Sequence, residues 1–405
     1  MRRFRTFLAL SGAATLAACG GDTRPQTVGS VAPPAGTPTP THSFVAPTEV
    51  KTYEGLGGVQ HYAYATTSDA SAQQGQLYAG DANTVRDSGI TLTYNPRDAI
   101  FELTINRPLG DVNVAAFRFQ DPAHRTDFAN VLQPQAGVPN FDAARQIQYL
   151  EAGSSSGAQL TGGAYYTGAA AQSDYVVGAD GFTSTVQTFF YQKPGTTTKY
   201  VTYAGFVRNS VSAAEETPSG GAARLRETYT LDRAAFVFGE RTGTSAVPKT
   251  GSGTYTGQMI ASLVYNPTLD FDPTAPTYLQ WMQGTHSTSV NFATGGVTSV
   301  MNGTLLAPTL DAYTSGVGGL AGGTAFHAEA TAFLDLVNKG GFTGQFTAAC
   351  FSASCTVANS LLIAGSSIDG AFFGPNGEEI GGGFRIVGGR PDQRIDIIGA
   401  YTGVK

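Results

Sequence analysis

Charge is what this chain has least of. Asp, Glu, Lys and Arg make up 13% of its 405 residues, and acidic groups outnumber basic ones 30 to 24. So little charge excludes a charge-rich disordered chain. The acidic balance gives no basic face, so no nucleic-acid partner is expected. Long apolar runs are missing as well: past the first twenty residues nothing is long enough to cross a bilayer as a helix. Helical periodicity is confined to one weak window, 141–152. The five histidines (His42, His61, His124, His286 and His327) are scattered and form no His-Glu-x-x-His, so each reads as a surface or satisfied strand residue. His286 and His327 would cap a haem only if strand ends brought them together. Asp69, Asp81 and Asp87 are spaced too irregularly for a calcium loop. No cofactor and no metal are expected.

Enzyme signatures are equally thin. Gly153-Ser154-Ser155-Ser156-Gly157 has the spacing of a nucleophile elbow, which needs a buried strand before it and a helix after it. The stretch that follows is polar and glycine-rich, and a surface loop is the expectation for 153–163. Lys249-Thr250-Gly251 has no Ser-x-x-Lys to work with. With no nucleophile–base pair or metal cluster, an enzyme is not expected.

What is present is 52 Gly, 24 Phe and 18 Tyr, the composition of short strands joined by tight turns. The chain starts with Arg2, Arg3 and Arg5, a short apolar run, then Leu16-Ala17-Ala18-Cys19, which reads as a secretory leader. The last four residues resemble the lipobox of bacterial lipoproteins, in which the cysteine becomes the acylated N-terminus. Cys19 is then the lipidation site and 1–18 the signal peptide, with Gly20 fitting passage to the outer membrane. An ordinary secretory signal with an incidental cysteine is the alternative. Removing the leader takes three arginines, leaving 21 basic against 30 acidic residues and a net charge of −9. Export implies an oxidising compartment, so Cys350 and Cys355 are expected to form a local disulfide. A metal site there lacks a second cysteine pair, and the nearest histidine is His327.

Residues 19–47 are rich in Pro, Thr and Gly and read as a tether. From 48 to 250, strand–turn–strand signals repeat, with 212–221 read as a loop. After a break at 243–253, eight strands are expected: 254–265, 279–292, 296–305, 324–336, 342–351, 361–373, 379–387 and 394–401. Eight strands can close a barrel that their own side chains fill, or form an open sandwich, and alternation alone separates neither from the other.

The segment 370–386, GAFFGPNGEEIGGGFRI, resembles the terminal hairpin in the β-barrel domains of transferrin-binding protein B and its surface-lipoprotein relatives. Gly370, Phe372, Phe373, Gly374, Pro375, Glu379, Ile380, Gly381, Gly382 and Phe384 fill the places of that pattern. Gly374 to Gly377 supply the fixed and positive φ values of a tight turn. Phe372 and Phe384 are expected inside the barrel, and Gly381–Gly383 are expected to let a bent strand coil. GSGTYTGQM (251–259) and STSVNFATGGVTSVMNGTL (287–305) are similar to earlier barrel strands of that family.

The resemblance implies an all-β chain, with an antiparallel "handle" domain (48–250) followed by an eight-stranded antiparallel β-barrel (251–405). It covers one handle-plus-barrel lobe where the full family protein has two. It also implies an outer-membrane, surface-exposed lipoprotein. Such a protein would capture an iron- or haem-carrying protein, a haem-type ligand or another metallophore and pass it to a TonB-dependent receptor. The same barrel also serves complement-evasion factors, adhesins or structural envelope proteins, which is the competing function. Ligand contact is expected from loops 266–278 and 307–323 and from the Cys350–Cys355 tip, with Tyr278 and Tyr313 as anchors.

Overall fold

The computed structural model describes residues 43–67, 74–77, 88–106, 108–109, 112–113, 116–120, 138–156, 182–268, 277–307, 319–338, 340–390 and 393–405. The leader, Cys19 and most of the tether, Tyr313, His42, His124 and the three aspartates considered for calcium lie outside these residues. Among these residues twenty strands follow in order. Twelve form the handle: β1 (Lys51–Glu54), β2 (Leu56–Thr67), β3 (Gln74–Leu77), β4 (Ile90–Asn95), β5 (Ile100–Ile105), β6 (Pro108–Leu109), β7 (Val112–Asn113), β8 (Ala116–Gln120), β9 (Ile147–Ser156), β10 (Phe182–Gln192), β11 (Val201–Glu216) and β12 (Arg224–Gly239). Eight form the barrel: β13 (Ser252–Asn266), β14 (Tyr278–Asn291), β15 (Gly296–Leu305), β16 (Ala325–Asp335), β17 (Gly341–Cys350), β18 (Leu362–Phe373), β19 (Glu379–Gly389) and β20 (Arg394–Val404). Among the described residues the one helical element is a 3₁₀ turn, Ala143–Arg145.

The barrel strands pair antiparallel in chain order, and β13 pairs with both β14 and β20. The sheet is therefore a closed barrel, not a sandwich. Inward side chains fill it: Tyr255, Met259, Met282, Phe342, Phe346, Phe372, Phe384 and Tyr401 share one buried cluster. Phe372 and Phe384, expected inside from the terminal hairpin, are both in this cluster. His286 also points inward. Its Nε2 donates to the Thr402 carbonyl (3.0 Å), and its Nδ1 accepts from the Thr288 hydroxyl (3.1 Å), which in turn lies 2.9 Å from Ser299 Oγ. Burial pushes its pKa down to about 4, so it is a neutral imidazole satisfied inside the core.

Ten of the handle strands form two sheets face to face, and β6 and β7 pair as a separate two-stranded ribbon. A four-stranded sheet, β1-β4-β5-β8, packs on a six-stranded sheet, β3-β2-β12-β11-β10-β9. Tyr53, Leu92, Phe101 and Leu103 meet Phe189, Phe206, Phe236 and Phe238 between them. The other face of the large sheet, through Leu56, Val201, Tyr203, Ala235 and Val237, packs on the barrel wall at Ile260, Trp281, Ala371, Phe373 and Ala400. The large sheet is buried on both faces, so 231–238 reads as one continuous buried run with no alternation.

Four sequence expectations change here. The helical window 141–152 is a 3₁₀ turn leading into β9, because Ile147–Gln148–Tyr149–Leu150 pairs with β10. Gly153–Ser156 belongs to the same strand rather than to a loop, and Ser212–Glu216 continues β11 against β12 before the chain turns at 217–221. The tether segment ends inside the handle: Phe44 is buried, edge-on to Tyr53 (5.5 Å) and Phe238 (5.6 Å).

The terminal hairpin joins handle to barrel. Gly374 (φ 85°) and Gly377 (φ 73°) form its turn, and the Gly374 amide donates to the Glu240 carbonyl (2.9 Å). The Glu379 carboxylate accepts the backbone N–H groups of Lys199 (2.6 Å), Tyr200 (2.8 Å) and Val201 (3.2 Å). Gly381 and Gly383 face outward into the handle. A Cβ on Gly383 would stand 2.6 Å from the Gly57 Cα, and one on Gly381 would stand 2.7 Å from Val201 Cγ2. The glycine run therefore permits close approach of two sheets, a different reason from strand bending. Arg145 adds a polar tie, donating to the carbonyls of Met259 (3.2 Å) and Gly284 (2.8 Å) on the barrel.

Candidate functional site: the loop end of the barrel

An up-and-down barrel sends alternate connections to opposite ends. Here the strand ends that flank 292–295, 336–340 and 374–378 lie at one end, and those that flank 267–277, 306–324, 351–361 and 390–393 lie at the other. The two candidate loops and the disulfide tip therefore share one end, although they are far apart in sequence. The described parts of these loops are braced from below. Gln280 donates through Nε2 to the carbonyls of Leu306 (3.1 Å) and Leu320 (2.7 Å), and its Oε1 accepts from the Leu320 amide (3.2 Å). Asn266 Nδ2 donates to Thr277 Oγ1 (2.8 Å), and its Oδ1 accepts from the Thr268 amide (2.8 Å). These side chains satisfy the backbone where the ladder stops.

Tyr278 is the first residue of β14, opposite Tyr265, and the two rings stack (6.2 Å, 27°). It is 1% exposed. Burial raises the phenol pKa of both tyrosines, which keeps them uncharged. Tyr278 is thus part of the floor on which the loops stand, not a side chain projecting from them. Its phase was readable beforehand, since it falls in register with inward Met282 and Val290.

Cys350 and Cys355 form the expected disulfide, with Cα atoms 5.5 Å apart. Beyond it the chain makes a tight turn. The Thr356 amide donates to Asn359 Oδ1 (2.7 Å), Asn359 Nδ2 donates to the Ser354 carbonyl (3.1 Å), and Ser360 Oγ donates to the Thr356 carbonyl (2.8 Å). At the tip of this braced turn Val357 is 102% exposed, and Leu362, at the start of β18, is 63% exposed. Apolar side chains held rigid and open to water suit contact with another surface. Sequence reasoning named neither, because a lone valine in a polar loop carries no pattern.

The histidines do not converge. His61 pairs with Asp232 (2.7 Å) inside the handle, and His327, on the outer wall, contacts Asn302 (2.8 Å) and Glu329 (3.2 Å). His286 faces the opposite side of the wall from His327. Among the described residues no group of His, Cys, Asp or Glu is placed to hold a metal ion.

No protein-family model matches the sequence, and no curated protein matches it. Among solved structures, the chain is similar to a point mutant of the vaccine antigen transferrin-binding protein B from Haemophilus parasuis. That similarity runs at 12% identity over 87% of this chain and 76% of that one, with a TM-score of 0.29. It is similar to intact Ap-TbpB, with its N and C lobes, at 10% identity over 89% and 80%, with a TM-score of 0.26. It is also similar to HpuA from Kingella denitrificans, solved in complex with human haemoglobin, at 10% identity over 85% and 87%, with a TM-score of 0.24.

Proposed function

We propose that this chain is an outer-membrane lipoprotein, acylated at Cys19 and displayed at the cell surface, which captures an iron- or haem-carrying protein through the loop end of its barrel. It passes the cargo to a TonB-dependent receptor. The observation that carries this reading is the loop end itself: long connections gathered on one rim, with Val357 and Leu362 uncovered on a disulfide-braced base. Two further features support it. The barrel interior is packed with side chains, so a ligand engages the outside, where a protein partner fits better than a small molecule. The hairpin 370–386 resembles that of a family of surface lipoproteins with this role, and Leu16–Cys19 resembles a lipobox.

The test is a titration of the full chain carrying Cys19→Ser against transferrin, lactoferrin, haemoglobin and haem. Saturable binding to one protein, lost in Val357→Asp/Leu362→Asp, is the expected result. Silence against all four removes the iron and haem reading. Protease shaving of intact cells tests the display: full protection of the folded part would place it on the periplasmic side.

A further inference from the structure

At one end of the handle the two sheets do not close over their core. A cavity of about 180 Å³ opens there, walled by Tyr53, Tyr94, Phe101, Tyr191 and Phe238, with Phe44 as one side and Lys193 at the rim. The rings are already ordered. Tyr94 stacks on Phe101 (4.4 Å, 26°), Phe101 tilts against Tyr191 (4.9 Å), and Phe44 meets Tyr53 and Phe238 edge-on. Such a wall offers both faces and edges to an incoming ring, the two arrangements that aromatic pairs prefer.

Size limits the occupant. An apolar cavity of roughly 150 Å³ holds one benzene. The space here takes a single six-membered ring with a short substituent and is too small for a haem macrocycle. Charge limits it further. The described lining holds no acidic residue, and Glu240, which accepts from the Tyr53 hydroxyl behind the wall (3.3 Å), is engaged by the Lys51 ammonium. Lys193 is exposed and has no acidic partner among the described residues. The mouth therefore presents one unneutralised cation above an aromatic well.

We infer that this cavity binds a small aromatic carboxylate, with its ring among Tyr94, Phe101 and Tyr191 and its carboxylate at the Lys193 ammonium. The site is remote in function from the loop end and stands whether or not the capture reading does.

The experiment follows backbone amide shifts of the full chain carrying Cys19→Ser during titration with benzoate, benzyl alcohol and benzylammonium. Expected are saturable shifts at 44–47 and 191–195, with benzoate about three- to fivefold tighter than the alcohol, as one exposed ion pair allows, and benzylammonium weakest. Lys193→Gln, an exposed substitution that leaves the core alone, should bring benzoate to the level of the alcohol and leave the alcohol unchanged. Absence of saturable shifts with all three probes to about 10 mM would overturn the site. Equal affinities in the parent chain, or a benzoate preference that survives Lys193→Gln, would overturn the carboxylate assignment.

Discussion

At the turn end of the barrel, the hairpin 374–378 is gripped by the handle. Glu379 takes three of its N–H groups, Gly374 binds the Glu240 carbonyl, and from inside the barrel the Tyr255 hydroxyl donates to the Gly377 carbonyl (2.8 Å). At the loop end the described parts of the connections are braced by Gln280, Asn266, one disulfide and the hydrogen bonds within the 354–360 turn. Backbone groups of the hairpin at the first end are committed to another part of the protein, while Val357 at the second is committed to nothing within it; of the turn-end connections, 336–340 shares that openness through exposed Val337. The difference teaches where sequence can change freely. Loop residues can be exchanged without disturbing closure, whereas the hairpin cannot move without dragging the handle.

The sharpest way to break that contrast is Gly383→Val. The new side chain would meet the backbone of Gly57, which has no rotamer to give, so a loss of about 3 kcal/mol is expected. A denaturant midpoint unchanged from the parent would mean that the handle does not press on this strand. Glu379→Gln comes next. It removes the charge from three hydrogen bonds and should cost about 2 kcal/mol, read from the same melts, with proteolysis near 199–201 increasing.

A third effect is set by pH. The folded-state pKa of His286, about 4, lies below its ordinary 6.5, so the unfolded chain takes up the proton first. Stability should fall as pH drops through this window, by about 2 kcal/mol between pH 7 and about 4.5. His286→Gln should flatten that slope; an equal slope in both proteins would place the acid sensitivity elsewhere. Smallest in stability are Val357→Asp and Leu362→Asp, each within about 0.5 kcal/mol. If either lowers the melting temperature as much as Glu379→Gln does, the loop end is structural and the contrast between the ends fails.

The eight barrel strands were legible almost residue for residue: β15, β16 and the second half of β14 alternate between a wet and a dry face, while β19 and β20, largely buried on both faces, are marked by apolar and glycine runs between turns. Val297, Ser299 and Met301 point in, while Thr298, Val300 and Asn302 point out. The handle was harder. Its central strands are dry on both faces, so 231–238 has no alternation, and the far part of β11 is polar enough to pass for a loop. Gly381–Gly383 announced a constraint without its cause, since a strand's own sequence does not say what lies against it. Tyr278 looked like an anchor because it borders a loop; its place in the barrel follows from its phase with Met282. Glu379 was singled out as part of a motif, but its partners lie about 180 positions away and leave no local trace.

The seam between β13 and β20 has a consequence for how the molecule comes to exist. Thr256 pairs with Val404 and Asn266 with Arg394, so the first barrel strand waits for the last. Pairings this distant along the chain are slow to form. While the C-terminal strand is still emerging, β13 and β19 both present unpaired edges, the kind of surface on which neighbouring copies associate. A stop a dozen residues early would leave that condition permanent. The final strand thus sets when the barrel can close, and until it pairs both edges stay open to association.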